Sequence, residues 1–176
     1  METDLAPAQR ARLTRRGLWL EYATLGWNVV GVGIVIWAAV LARSVALAGF
    51  GLDSLIEIFA SIIVVWQLTG ASQQRERRAL RLIGVAFLAL AVYILGQLAV
   101  TLVTGVHPAT SPLGIAWLAL TLLAMLALAY GKRVTGAALG NPVLRTEASV
   151  TLIDAVLAAA VLVGLVLNAL LGWWWA

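Results

Sequence analysis

The sequence predicts an all-α fold, a polytopic bundle of about five membrane-spanning helices, and three observations carry that prediction. Hydrophobic residues make up 62% of the 176 positions and charged residues only 11%. The apolar residues fall in blocks of about 20, the length that crosses a hydrocarbon core about 30 Å thick at a rise of 1.5 Å per residue. Arginines gather in alternate gaps between the blocks, which gives the blocks a consistent inside and outside. A backbone in lipid must satisfy its own hydrogen bonds, so each block is expected to be a helix, and the alternating pattern of a membrane barrel is absent. With no cysteine in the chain, a disulfide framework and a thiolate metal site are both excluded. A net charge of +4 would suggest nucleic acid in a soluble domain. Here it reports arginines at the cytoplasmic face, and no nucleic-acid partner is expected.

Residues 1–16 hold Arg10, Arg12, Arg15 and Arg16 but no apolar run. They read as a cytoplasmic basic tail with no cleavable signal, ahead of a transmembrane domain over 17–176. The first span, 18–41, carries Glu21, Tyr22 and Asn28 near its inner end, with Glu21 and Asn28 seven residues apart on one helical face. Arg43 and Ser44 leave room only for a tight turn, so the second span, 45–68, returns antiparallel. The stretch 72–81, with Arg75, Arg77, Arg78 and Arg81, is the densest positive cluster and belongs inside. The third span, 82–103, has a thin polar stripe of Tyr93, Gln97 and Thr101. A loop over 104–112 fits the outside, and His107 in it is not expected to ligate a metal. The fourth span, 113–130, has no ionisable residue before Tyr130. Lys132, Arg133 and Arg145 then fall in a Gly-rich connection on the cytoplasmic side. The fifth span, 143–171, ends at Trp173, Trp174 and Trp175, residues suited to the outer membrane interface. The N-terminus is therefore expected inside, and a bacterial inner membrane is the expected location.

The chemistry lies within the second and fifth spans. Asp53 and Glu57 sit four residues apart on one helical face, which Gly49 and Ser61 extend. An ionised carboxylate in hydrocarbon costs at least about 2.5 to 3.5 kcal/mol, so two acids in one span call for a reason. Glu147, Thr151 and Asp154 follow an i, i+4, i+7 course on the fifth span, and Asp154 lies at a depth similar to that of Glu57. With no lysine or arginine expected at that depth, the three acids Asp53, Glu57 and Asp154 suit a cation or an exchangeable proton. A divalent ion binding there would displace protons, which is antiport chemistry in outline. Glu21 and Glu147 are expected nearer the cytoplasmic boundary, where water reaches, either as solvated helix-end charges or as lining of an entrance. The plainer alternative is that protonated acids hydrogen-bond across a helix interface.

Ser44-Val-Ala-Leu, followed by Asp53-x-x-x-Glu57 and Ala60-Ser61, resembles the second helix of the cation diffusion facilitators, and Arg145-Thr-Glu-Ala with Asp154 resembles their fifth. The resemblance implies a tetrahedral site at Asp53, Glu57, Val150 and Asp154, with Glu147 as the acid three residues ahead of the fifth-helix motif. It also implies a homodimer. Val150 departs from the pattern, because that family places a histidine or aspartate there, so three oxygen ligands remain. Such a set favours harder ions such as manganese or magnesium and weakens the case for zinc, although zinc also accepts carboxylates. The expected function is export of a divalent metal (zinc, manganese or similar) against protons, with the bilayer, the cation and protons as partners. Glu21, Asn28, Glu147, Val150 and Thr151 would line the site or its approach. The family's sixth helix and cytoplasmic domain have no counterpart here, so a non-transporting truncated paralogue is the alternative. A proton-coupled exporter of organic cations is a third possibility, and an enzyme is not expected.

Overall fold

The computed structural model describes residues 6–70, 73–104 and 107–173. They form five helices: α1 (Pro7–Ala42), α2 (Val45–Thr69), α3 (Gln73–Thr104), α4 (Pro112–Leu139) and α5 (Pro142–Leu171). Each is long and apolar enough to cross a membrane, and the chain is an integral membrane protein of the predicted all-α class. Residues 1–5 of the expected tail, and the interfacial Trp174 and Trp175, lie outside the described residues.

Three boundaries differ from the expectation, all in the same direction. α1 starts at Pro7, so Arg10 to Arg16 ride on its first turns. α3 starts at Gln73 and absorbs the arginine cluster. α4 runs on through Lys132 and Arg133 to Leu139. Arginine and lysine are good helix formers, and a charge ends a membrane span without ending the helix. What ends α4 is Gly140, in the left-handed conformation at φ 62°, where the absence of a Cβ removes the strain. Asn141 then starts α5 by accepting a hydrogen bond from the Leu144 amide at 3.0 Å, with Pro142 at the first helical position.

The tight turn expected between the first two helices is present. Arg43 takes the left-handed conformation at φ 49°, and the Ser44 hydroxyl caps α2 by accepting from the Leu47 amide at 3.3 Å. α1 is fastened to α4 by Trp27, which stacks on Trp117 with centroids 5.0 Å apart and donates to the Thr121 hydroxyl at 3.2 Å. α4 and α5 approach closely at Gly136, where a Cβ would lie 3.0 Å from the Arg145 backbone nitrogen. Gln67 near the end of α2 accepts from the Asn141 side chain at 3.1 Å, tying α2 to the α4–α5 corner. α3 packs on α2 and touches α5, and Tyr93 accepts a hydrogen bond from Gln97 within the predicted stripe at 2.9 Å. The Thr101 side chain lies outside the description.

The packing is inside-out relative to a soluble bundle. Trp19, Trp37, Val40, Leu41 and Leu88 are exposed, as a lipid-facing surface requires, whereas Glu21, Asn28, Glu57, Lys132, Glu147 and Asp154 are buried. An apolar cluster that includes Val35, Leu47, Phe50 and Leu118 fills the bundle toward the α1–α2 turn. A second, with Ile63, Val64, Ile83 and Leu144, joins α2, α3 and α5.

Candidate functional site

The polar interior is arranged in two layers. Glu21 and Asn28 on α1 are seven residues apart, as are Glu147 and Asp154 on α5, which at helical rise separates the members of each pair by about 10 Å. α2 runs the other way, so its order Asp53, Glu57, Ser61 descends through the same two levels.

The lower layer centres on Lys132. Its ammonium lies 2.5 Å from Glu147 Oε2 and 3.2 Å from Glu21 Oε2, and it donates to Thr151 Oγ1 at 3.1 Å. The Thr151 hydroxyl in turn lies 3.3 Å from both carboxylate oxygens of Glu147. All four residues are 0% exposed. This corrects the sequence reading in two respects. Lys132 is a core residue of α4, not part of a cytoplasmic connection, and Glu21 and Glu147 are sealed from water, not washed by it. The physical reason is reciprocal: α4 continues past Tyr130 and carries Lys132 inward, and a partner of opposite charge offsets the cost of burying Glu21 and Glu147. Lys132 also stands within electrostatic range of Glu57, so the acids do have a cationic neighbour, one layer away from Asp154.

The upper layer holds the three predicted acids. Asp53 is 4% exposed, and Glu57 and Asp154 are 2% exposed. Asn28 donates its amide to Glu57 Oε2 at 2.9 Å and to the Thr24 carbonyl at 3.1 Å. The expected lining residue is therefore a direct partner of an expected ligand. Asp154 neighbours both Asp53 and Glu57. Glu57 Oε1 and both carboxylate oxygens of Asp154 accept no hydrogen bond from an N–H or hydroxyl donor among the described residues; the groups that Asp154 meets are the Asp53 and Glu57 carboxyls. A buried polar atom left without a partner costs about 1 to 3 kcal/mol, more when charged, so these oxygens call for a proton or a bound cation. No three acid, histidine or cysteine side chains among the described residues converge tightly enough to form a ready-made metal cage. The acids form an open set of oxygen donors, suited to hard cations.

Val150 does not serve as the fourth corner that the resemblance implied. It packs with Ala60, Ile63, Val64 and Ile83 in the α2–α3–α5 apolar cluster, because its helical position faces the seam between α5 and those helices. Lys132 is the residue that sequence reasoning missed. Two signals point to it: it is the sole lysine among twelve basic residues, and Gly140-Asn141-Pro142 is the first strong stop after Pro112.

No family model matches the chain. It is similar to Transmembrane protein 163 of Xenopus laevis, with 25% identity over 99 residues, 54% of this chain and 35% of that protein. The chain thus aligns with about a third of that relative's length.

Proposed function

We propose that this chain is a secondary transporter of the cation-diffusion-facilitator type that moves a divalent metal ion across the membrane in exchange for protons, with Asp53, Glu57 and Asp154 as its ligands. The observation that carries the reading is the set of buried carboxylate oxygens on Glu57 and Asp154 that meet no N–H or hydroxyl donor among the described residues, contributed by facing helices in the middle of the bundle. Asn28 donates to Glu57 Oε2, and the groups facing Asp154 are the Asp53 and Glu57 carboxyls, so the cluster is short of donors. Carboxylates must give up their protons to bind metal, so loading and proton release are linked, which is the chemical basis of exchange. Glu21, Thr151 and Glu147 lie below the site on the arginine-rich side, which the positive-inside rule makes cytoplasmic. Export from the cytoplasm of a bacterial inner membrane is the direction that fits. The absence of a tight three-acid cage among the described residues favours one second reading, a proton-coupled exporter of organic cations, which needs a carboxylate but no close convergence.

The test is flux in proteoliposomes holding the purified protein. Manganese or zinc uptake driven by an imposed proton gradient, abolished by Asp154→Asn, is the expected result. Gradient-driven movement of an organic cation without metal flux would replace the first reading with the second, and no flux of either would remove both.

A further inference from the structure

Lysine offers three N–H donors and no acceptor, and at Lys132 the three surrounding acceptors come from three residues on two other helices. Glu147 Oε2 lies at 2.5 Å, Glu21 Oε2 at 3.2 Å and Thr151 Oγ1 at 3.1 Å. The other eleven of the twelve lysine and arginine positions are arginine, whose flat fork suits bidentate partners, whereas a compact ammonium fits a three-point cup. Two acidic side chains face one ammonium. The Ser61 hydroxyl borders the Glu21 carboxylate, and both residues are completely buried.

We infer that Glu21, Glu147 and Thr151 form a second cation-binding site, shaped for a primary ammonium, which the chain fills from within by its own Lys132. The side chain is a tethered ligand: α4 anchors it and its head group occupies the cup one layer below the three carboxylates. Removing the tether should therefore leave a site that accepts the same chemistry from solution.

The test uses the full-length chain in detergent with Lys132→Ala, which deletes three carbons and the nitrogen, and n-propylammonium chloride, which restores them. The variant should unfold at a lower temperature than the parent. n-Propylammonium should raise its midpoint saturably by about 5 °C or more, as a ligand present well above its dissociation constant does. Tetramethylammonium at equal ionic strength, which has the charge but no N–H donor, should not do so, and the parent should respond to neither. Adding Glu147→Gln to Lys132→Ala should remove the discrimination between the two salts. Equal effects of both salts, or rescue that survives Glu147→Gln, would overturn the inference. Where Lys132→Ala cannot be recovered from membranes, extraction in each salt gives the answer: recovery in n-propylammonium alone supports the site, and recovery in both salts or in neither refutes it. The readout does not involve metal, so absence of metal flux would leave this site standing, and absence of rescue would leave the transport reading untouched.

Discussion

Replacing Lys132 by methionine keeps the unbranched stem and removes the charge, leaving Glu21 and Glu147 without it in a fully buried layer. Both carboxylates are 0% exposed and both lie within 3.2 Å of the ammonium in the parent. Loss of one partner from a fully buried ion pair costs about 3 to 5 kcal/mol, against about 0.2 to 1 kcal/mol for an exposed pair. For a chain of this size each kcal/mol moves the midpoint by about 2 to 4 °C, so the expected drop is on the order of 6 to 20 °C. The triple variant Glu21→Gln, Lys132→Met, Glu147→Gln carries no charge in the layer and should recover most of the loss, since a neutral layer of similar volume avoids the desolvation penalty. Thermal unfolding in detergent, followed through the tryptophans, measures both. A drop within the range of an exposed pair would mean that water reaches the layer, and a triple variant no better than the single one would mean that packing of the lysine stem matters more than its charge.

Asp53→Asn, Glu57→Gln and Asp154→Asn should each reduce manganese binding at least tenfold with little change in unfolding temperature, whereas Glu147→Gln should change binding less; titration calorimetry on purified protein separates the two outcomes. Metal binding should also release protons, so the heat should vary among buffers of different ionisation enthalpy, and identical heats would count against carboxylate exchange. Val150→His should fail to raise the preference for zinc over manganese and should lower stability by about 1 to 3 kcal/mol, because it places an unpartnered ring in the apolar cluster with Ile63 and Val64; a clear gain in zinc selectivity would restore the fourth-ligand assignment. Gly136→Val should separate α4 from α5, since its Cβ would meet Arg145 backbone at 3.0 Å, at a cost of about 1 to 3 kcal/mol. The same shift should expose Lys132 to an amine-reactive label, read on the peptide that contains the chain's sole lysine; a label yield equal to that of the parent would refute the coupling.

Periodicity and the dimensions of the bilayer made much of this protein readable. Blocks of about 20 apolar residues fix five spans, the Arg43-Ser44 corner forces α2 back along α1, and the four-residue step from Asp53 to Glu57 puts both acids on one face whatever surrounds them. Asn28 belonged to the same legible set, because a residue seven positions from Glu21 must share its side of α1. The positions of α1, α3 and α4 ends were less readable, since the sequence marks where hydrocarbon gives way to charge and the backbone continues past that point until a residue such as Gly140 stops it.

Composition and local spacing alone determined the class of the protein, the number of its helices, and the presence of three acids within two of the apolar spans. Tertiary packing alone decided that Lys132 closes the lower layer between Glu21 and Glu147, that Val150 faces an apolar seam, and that Glu57 is half satisfied by Asn28 while Asp154 is left short of a donor. The physical reason is that a helix's sequence fixes which residues share a face but not which neighbour that face meets. The rotation and offset of α1, α2, α4 and α5 about their own axes set those meetings, through close approaches such as Gly136 against Arg145, and the partner of a buried charge depends on them.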